Sequence, residues 1–318
     1  FVYNSVTIFL YSDGVLDKSE QNVVAPSPNY NHFSLGALYI DKSNIINPFL
    51  GKIDEVYVWD IGLNERQVRY LMNQEIERFE VSGAYFVSGK ILPQAALNNP
   101  ILTIPWNKLK AYYDFNSFYG STVEGLSDSR NFLRLKYLRT DKKLVDKQAI
   151  PVPYKSIASS DWGSASTWLN GPDNVLPNAL SLDGLTYIDW NIVETNHNIT
   201  SGDKNITVLA LKSNEGELTI ADPNDAQDET NSGQSLTITN YLELDGVIDL
   251  VGESQLIQTE GSIVDADSGG YIERDQQGTA NGFNYNYWTS SVGPSLGNTV
   301  TRGTGITATN TNYTIEGV

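Results

Sequence analysis

Four acidic side chains lie within one short segment and form the clearest candidate site for a metal ion. They are Asp222, Asp225, Asp228 and Glu229. Carboxylate oxygens suit Ca²⁺, but an EF-hand loop also needs a glycine at its sixth position and a glutamate at its twelfth. Counted from Asp222, those positions hold Gln227 and Gly233. We therefore expect a solvated loop here, with bound calcium as the alternative.

Residue patterns that mark enzymes are sparse in this sequence. The two histidines, His32 and His197, are 165 residues apart, so a histidine pair cannot be assumed. Gly-x-Ser-x-Gly occurs once, at 293–297, and the His-Glu-x-x-His motif is absent, as is any phosphate-binding loop. Among 38 acidic residues, no pair stands out as the two carboxylates of a glycosidase. We expect a protein that is not an enzyme and that needs no cofactor.

Three tryptophans could bind a ligand through their ring faces. Trp162 and Trp168 stand among small residues, and Trp190 follows a turn at Gly184. Aromatic rings can stack on sugars, which makes these three a candidate glycan-stacking set. We favour a packing role instead, because the open end of a stacked β structure needs a cover for its apolar side chains and strand edges.

Short apolar strands between 205 and 263 form the framework that has to position these residues. Apolar pairs at 236/238, 242/244 and 248/250 recur every six residues, with Asp245-Gly246 and Val251-Gly252 as expected corners. Such alternation predicts half-buried strands. Strands this short are not stable as isolated hairpins. We therefore expect them to stack as a β-solenoid over 200–265, with a β-sandwich of short strands as the alternative.

The composition indicates a folded, acidic protein and disfavours several kinds of partner. The net charge is −17, and residues 191–318 carry 18 acids against 4 bases. Such a surface repels phosphate backbones and anionic lipid, so we expect no nucleic acid and no membrane insertion. The basic run at 130–147 is expected to be a solvated segment. With no cysteine, the chain has neither disulfides nor thiolate metal ligands.

The first eighty residues are predicted to form a hairpin, a strand and a capped helix. An Asp13-Gly14 turn joins two apolar runs, and β-forming residues are dense from Ile53 to Trp59. Asn64, with Gln67 three residues later, predicts an N-cap and a capping box. A helix of about three turns should follow, because apolar residues continue at helical spacing through Val68, Leu71, Met72, Ile76 and Phe79.

This order of elements resembles the end of a laminin G (LamG) or concanavalin-like jelly roll. The motif that carries the resemblance is Phe49-x-Gly-x-Ile-Asp-Glu-Val-x-Val-Trp59, followed by Leu63-Asn-Glu65. The resemblance implies that about the last half of such a domain is present, from a family that often binds carbohydrate and frequently holds Ca²⁺. The calcium ligands usually lie in the other half, so no ligand is implied here. Asp54 and Glu55 are expected to be solvated or paired at a sheet edge.

The later part of the chain resembles a different group of proteins. The segments Ile272-Glu-Arg-Asp-Gln-Gln-Gly278 and Phe283-Asn-Tyr-Asn-Tyr-Trp288 carry the resemblance, which covers about 150–318. It is to a module near the C-terminus of very large surface proteins of Bacteroidota, which the type IX secretion system exports and which include gliding-motility adhesins. The resemblance implies an extracellular place on the bacterial outer surface and the export machinery as a partner.

These elements predict an all-β protein in three parts. Residues 1–80 are the C-terminal half of a LamG-like jelly roll with a trailing short helix. Residues 81–155 are a connector with a partial LamG-like opening strand. Residues 156–318 are a β-solenoid-like adhesin module with an aromatic cap, preceding a missing C-terminal sorting domain. Because the sequence opens within a strand, we expect a fragment of a longer protein.

The predicted function is that of a non-catalytic structural and adhesive part of a large secreted cell-surface protein. Surface glycans are an expected partner. The alternative is a carbohydrate-binding accessory region of an extracellular polysaccharide-degrading enzyme.

Overall fold

The described part of the chain is almost entirely β structure. The computed structural model describes residues 1–24, 32–41, 44–93, 99–136, 148–223 and 233–275, and the backbone of two short strands at 299–301 and 307–309. Contacts divide the chain into two compact units, Phe1–Asp275 and Gln276–Val318. One α-helix occurs among the described residues, so the predicted all-β class is confirmed. The division at 80 and 155 stays a prediction.

Small antiparallel sheets and the helix build the first part of the larger unit. Their bounds are β1 (Val2–Tyr3), β2 (Ile8–Ser12), β3 (Val15–Glu20), β4 (Leu38–Asp41), β5 (Asn44–Ile46), β6 (Val56–Trp59), α1 (Glu65–Leu71), β7 (Ile76–Val81), β8 (Ala84–Gly89), β9 (Leu109–Tyr113), β10 (Thr122–Val123) and β11 (Leu133–Arg134). Strands β1, β2 and β3 form one sheet, and the other strands pair as β4–β5, β6–β9, β7–β8 and β10–β11. Within the predicted connector, 81–155, strand β9 pairs with β6.

The predicted hairpin at Asp13-Gly14 is confirmed. Strands β2 and β3 pair antiparallel on either side of it. Both turn residues have positive φ, 50° for Asp13 and 78° for Gly14. A two-residue turn of this kind twists in the same sense as the strands that it joins, which is why Asp-Gly is favoured there.

Helix α1 begins as predicted and ends earlier. Asn64 Oδ1 accepts a hydrogen bond from the Gln67 N–H, and the Gln67 side chain accepts one from the Asn64 N–H, so the capping box is confirmed. The expected length of three turns is wrong, because the helix covers only seven residues. Ile76 and Phe79, which continue the helical spacing, lie in β7 instead.

Buried Gln74 accounts for the early end of α1. Its Nε2 donates to the Tyr70 carbonyl, and its Oε1 accepts from the Leu92 N–H. The side chain thus satisfies backbone groups at the helix end and at the end of β8. The chain then reverses through Ser82 and Gly83, both at positive φ, into the β7–β8 hairpin. The sequence had predicted a piecewise-packed linker beyond residue 80.

Parallel strands build the second part of the larger unit. Their bounds are β12 (Tyr154–Lys155), β13 (Ser160–Asp161), β14 (Ile192–Thr195), β15 (Ile199–Thr200), β16 (Ile206–Ser213), β17 (Glu217–Ile220), β18 (Ser235–Leu244), β19 (Val247–Leu250), β20 (Gln255–Gln258), β21 (Ile263–Val264) and β22 (Tyr271–Arg274). One sheet has the order β12-β14-β16-β18-β20, with β21 also beside β18, and the other has the order β13-β15-β17-β19-β22. Up to β19, consecutive strands alternate between the two sheets, and every pairing among β12–β22 is parallel. We call this part, residues 154–275, the coil.

The repeat of the coil is longer than the sequence suggested. The six-residue spacing is wrong as a stacking period, because the pairs 236/238 and 242/244 belong to one ten-residue strand, β18. The stacked neighbours of Leu236 are Ile206 and Leu256, 30 residues before it and 20 after it. The expected corners do occur, since Asp245-Gly246 separates β18 from β19 and Val251-Gly252 follows β19. Alternate side chains of β16 and β18 point into the coil core.

An alternating charge ladder, Lys155–Glu194–Lys212–Glu243, crosses four neighbouring strands of one sheet. These residues are direct neighbours in register on β12, β14, β16 and β18. Lys155 Nζ lies 3.2 Å from a Glu194 carboxylate oxygen, and Lys212 Nζ lies 3.0 Å from one of Glu243. Opposite charges on adjacent strands favour this register.

The two parts of the larger unit share one apolar core. Helix residues Tyr70 and Leu71 pack in the same cluster as Ile192, Ala210 and Tyr241 of the coil. Asn191 Nδ2 also donates to Asn73 Oδ1 across this contact, at 2.9 Å and buried. The helix therefore lies directly on the outside of the coil.

Candidate functional site

Trp162 and Trp168 lie inside the coil beside its first strands. Each side chain is 1 % exposed, and both belong to the coil core. Their rings meet edge to face at 4.9 Å. Trp162 Nε1 donates to the Pro177 carbonyl at 2.9 Å, and Trp168 Nε1 donates to the Trp162 carbonyl at 2.8 Å. A ring that stacks on a sugar needs an open face, and these two rings have none.

Trp190 forms a joint between the coil and the first part of the chain. Its Nε1 donates to the Asp13 carbonyl at 3.1 Å, and the Arg69 guanidinium lies 3.7 Å from the ring centre. The residue is 9 % exposed, so it too has no free face for a sugar. A Cβ atom at Gly14 would stand 2.7 Å from Trp190 Nε1, which is why the turn needs glycine for space as well as for φ.

Asp222 is the described member of the predicted acidic cluster. It is 8 % exposed, and its Oδ2 accepts a hydrogen bond from the Glu253 N–H at 3.2 Å. Asp225, Asp228 and Glu229 lie outside the described residues. Among the residues that are described, His, Asp and Glu nowhere gather in a group of three or more that could hold a metal ion. Asp222 thus stabilises a corner of the coil, because its carboxylate accepts a hydrogen bond from the backbone of the next turn.

The two histidines lie in separate surroundings. His32 packs edge-on against Tyr39, with ring centres 4.9 Å apart. His197 Nδ1 lies 2.9 Å from Ser156 Oγ, and the same oxygen accepts from the Asn196 N–H at 2.8 Å. Ser156 is buried and held from both sides. This contact therefore ties one turn of the coil to the next.

A buried carboxyl group directly before β6 was not expected from the sequence. The prediction that Glu55 is solvated or at a sheet edge is wrong, since the residue is 8 % exposed and has φ 49°. Tyr57 Oη donates to Glu55 Oε2 at 2.6 Å. Burial raises the pKa of the Glu55 carboxyl to about 7, although hydrogen bonds from Tyr57 and Tyr112 oppose that rise.

The neighbouring Asp54 ties β6 to the segment that leads into the coil. Asp54 Oδ2 accepts from the Ala149 N–H at 2.7 Å and from Gln148 Nε2 at 3.1 Å. Burial raises the pKa of the Asp54 carboxyl, and hydrogen bonds from backbone N–H groups, that of Ala149 first, oppose the rise. The position of Gln148 matters because this residue lines the cavity described next.

A cavity of about 240 Å³ opens where the two parts of the larger unit meet. Four stretches of chain contribute to its wall, from the turn before β7, the loop after β9, the segment 148–153, and the first turn of the coil. The lining residues are Glu75, Asn116, Gln148, Ile150, Pro151, Val152, Pro153, Lys155, Leu169 and Asn170. We call this the junction pocket.

The polar side chains of the junction pocket are held by neighbours. Glu75 is paired with Lys90 and also accepts from Asn116 Nδ2, at 3.2 Å. Asn170 Nδ2 donates to the Gln148 carbonyl at 2.8 Å. Lys155 is the first member of the charge ladder. Polar groups that are fixed before a ligand arrives cost little entropy on binding, so this geometry suits recognition of a small molecule.

Sequence reasoning missed the junction pocket for a physical reason. Glu75, Asn116 and Asn170 are far apart in sequence and come together only because the helix packs on the coil. No spacing pattern marks such a set. A hint was present in Pro151-Val-Pro153, which interrupts regular structure and here forms one wall, with a cis bond between Val152 and Pro153.

Comparison with known proteins bears on the first part of the chain. Residues 1–69 match the family model of the concanavalin A-like lectin/glucanases superfamily. The match runs from β1 into α1 and supports the predicted LamG-like domain. Neither a curated protein nor a solved structure matches the chain. The resemblance of 150–318 to exported surface proteins stays a prediction.

Within the described ranges, no helix has the length and hydropathy needed to cross a bilayer.

Proposed function

We propose that this chain is a non-catalytic structural and adhesive part of a large secreted cell-surface protein. The observation that carries the proposal is the match of residues 1–69 to a superfamily that includes lectins. In this chain, that segment is fixed to a parallel coil. A carbohydrate- or protein-binding element on a stiff support is the arrangement that an adhesive protein requires.

The attachment between the two parts supports a mechanical role. Arg69 and the Asp13 carbonyl contact Trp190, and Asn191 donates to Asn73, so the helix, the hairpin and the coil are joined at separate points. The coil itself is held by parallel ladders and by the charge ladder. Each turn of such a structure contacts mainly its neighbours, which gives an elongated and regular support.

The proposed place is outside the cell, on the bacterial outer surface, after export by a type IX secretion system. A chain with no cysteine needs no disulfide chemistry after it crosses a membrane unfolded. Its net charge of −17 keeps it soluble and away from nucleic acid. The export machinery and surface glycans are the partners that this proposal names, without a cofactor.

A carbohydrate-binding accessory region of a polysaccharide-degrading enzyme is the second candidate. The same family match favours it, because the superfamily also includes glucanases. In this case a catalytic domain elsewhere would act on the glycan, and this chain would hold the enzyme on its substrate.

Glycan-array binding and hydrolysis assays on this chain test the two candidates. For the adhesive protein, we expect binding to surface glycans or to cells and no release of reducing sugar. Preferred binding to storage or cell-wall polysaccharides would favour the accessory region. Hydrolysis of any arrayed glycan by this chain alone would overturn the non-catalytic assignment.

Protease treatment of intact cells of the source bacterium tests the location. We expect brief exposure to remove the protein from whole cells. Protection until the cells are lysed would show that the surface assignment is wrong.

A further inference from the structure

We propose that the junction pocket binds one neutral pyranose residue of a glycan. The inference rests on the proposed function, in which the protein meets surface glycans. It assigns binding to a place beyond residues 1–69, since the pocket residues begin at Glu75.

The size of the junction pocket limits the ligand to one ring. Sites for drug-sized ligands are typically about 300–1,000 Å³. The junction pocket, at about 240 Å³, is smaller than that range. A single six-membered ring with its hydroxyl groups is of the right scale, whereas a disaccharide has to leave one ring outside.

The charge of the junction pocket favours a neutral ligand. Its lining has one acid, Glu75, and one base, Lys155. Each already has a partner in the protein, Lys90 for Glu75 and Glu194 for Lys155. Neither charge therefore requires a counter-charge from the ligand. In a chain of net charge −17, a cavity with balanced charges is a poor site for a phosphate or an acidic sugar and a suitable one for an uncharged molecule.

The hydrogen-bonding groups of the junction pocket include both acceptors and donors. Asn116 uses its Nδ2 on Glu75 and Asp114, and Asn170 uses its Nδ2 on Gln148. Asn116 keeps its side-chain oxygen, and Asn170 keeps its side-chain oxygen and a second Nδ2 hydrogen. Proline has no N–H, so Pro151 and Pro153 bring carbonyls alone from the backbone. With Lys155, the lining thus offers acceptors and donors without excess charge, which matches a ligand rich in hydroxyl groups, since each hydroxyl both donates and accepts.

The rest of the junction-pocket lining is apolar. Ile150, Val152 and Leu169, with the two proline rings, supply it. Leu169 is 41 % exposed, so its side chain is reachable by a ligand. A pyranose ring has both kinds of surface, since its hydroxyl groups radiate at the edge and its C–H groups form an apolar face. A lining that combines polar and apolar groups suits both kinds of surface.

Ligand-observed NMR with the full 318-residue chain tests this assignment. The probes are the methyl glycosides of glucose, galactose, mannose and N-acetylglucosamine, with methyl glucuronide as the charged comparison. We expect at least one neutral glycoside to bind at a single site with a dissociation constant on the order of millimolar, the strength expected for so small a ligand. The glucuronide should bind more weakly than its neutral counterpart.

Two pocket variants, each with a matched control, test whether the glycoside binds in the junction pocket. Asn116→Ala and Leu169→Ala remove one acceptor and one apolar contact, and each should weaken binding by about tenfold. The matched controls are Asn107→Ala and Leu182→Ala, two exposed residues outside the pocket lining, which should bind as the parent does. Melting temperatures of all four establish that they are folded. One pocket variant removes a polar group and the other an apolar group, so the test still gives a result if one of them fails to fold.

Two results would overturn the inference. One is that no neutral glycoside binds the parent chain below about 50 mM. The other is that binding is the same in the pocket variants as in the controls. Glycan-array binding by the same pocket variants separates this from the proposed function. Suppose that the pocket variants still bind arrayed glycans and that they bind monosaccharides as well as the controls do. The adhesive assignment then stands, and the pocket assignment is wrong.

Discussion

The first part of the chain and the coil are both β structure, but they are stabilised in different ways. In β2 and β3 no side chain is fully buried, and β7 has one buried residue followed by five exposed ones. In β16 and β18, alternate side chains are fully buried in a continuous core. The β2–β3 and β7–β8 hairpins of the first part join neighbouring segments and bury few side chains, whereas the coil depends on stacking between distant segments. We therefore expect stability to be concentrated in the coil.

A charge placed in the coil core should have the largest effect. Leu242 is 2 % exposed, and Leu242→Asp buries a carboxylate without a partner, which should cost at least about 4 kcal/mol of unfolding free energy. Leu16→Asp on β3, where the leucine is 43 % exposed, should cost less than about 1 kcal/mol. Urea denaturation followed by circular dichroism measures both. An equal loss of unfolding free energy in the two variants would contradict the view that stability is concentrated in the coil.

The joint at Gly14 should show the next largest effect. Gly14→Ala puts a methyl group 2.7 Å from Trp190 Nε1 at a φ of 78°, and the combined overpacking and backbone strain should cost about 2–3 kcal/mol. Gly83→Ala is the matched control, because its φ is 83° and nothing lies within 4 Å of the added Cβ. The control should lose about 1 kcal/mol from strain alone. Thermal unfolding compares them, and the same loss at both positions would mean that the joint contributes nothing.

The buried carboxyl in the first part should make stability depend on pH. Because the pKa of Glu55 is raised from 4.5 to about 7 on folding, the folded protein holds this proton more tightly than the unfolded chain. The contribution of Glu55 to the free energy of unfolding is fully present below about pH 4.5 and is lost as pH rises through 7. The free energy of unfolding should fall by on the order of 2 kcal/mol between pH 5 and pH 8.

Glu55→Gln isolates this effect. The amide keeps the shape and an acceptor for Tyr57, so the variant should lose most of the pH slope. Glu77→Gln, at an exposed position on β7, is the control and should retain it. Denaturation midpoints across that pH range measure the slopes. A slope that is unchanged in Glu55→Gln would show that the titrating group lies elsewhere.

Chelation should have the smallest effect. If the segment from Asp222 to Glu229 is a solvated loop, EDTA should leave the melting temperature within about a degree of its starting value. A Ca²⁺ present at a hundred times its dissociation constant would instead contribute about 2.7 kcal/mol, all of it lost on chelation. Differential scanning calorimetry decides between them, and a clear decrease in the presence of EDTA would establish a calcium site.

Local signals in the sequence predicted local structure well. Asp13-Gly14 specified a hairpin, because only certain residues adopt that turn, and Asn64 with Gln67 specified a helix start through two hydrogen bonds. The alternation of apolar residues predicted the strands of the coil for the same reason. Each of these depends on residues that are close in sequence.

What the sequence could not show depends on contacts between distant segments. The stacking period was wrong because β18 is one long strand, and its length is set by pairing with β16 rather than by its own residues. Helix α1 ends early because Gln74 reaches Leu92. Burial of Glu55 depends on strands that pack over it, and the junction pocket draws on residues from 75 to 170.

The charge ladder also acts as a check on assembly. Lys155, Glu194, Lys212 and Glu243 alternate in sign from strand to strand. If a strand docked one place too far along the sheet, Lys212 would meet Lys155, or Glu243 would meet Glu194, and like charges on neighbouring strands repel. Parallel strands with similar apolar patterns are otherwise easy to exchange. The four alternating charges thus disfavour a misfolded coil in which one turn is left out, in a chain that has no disulfides to fix the order of its strands.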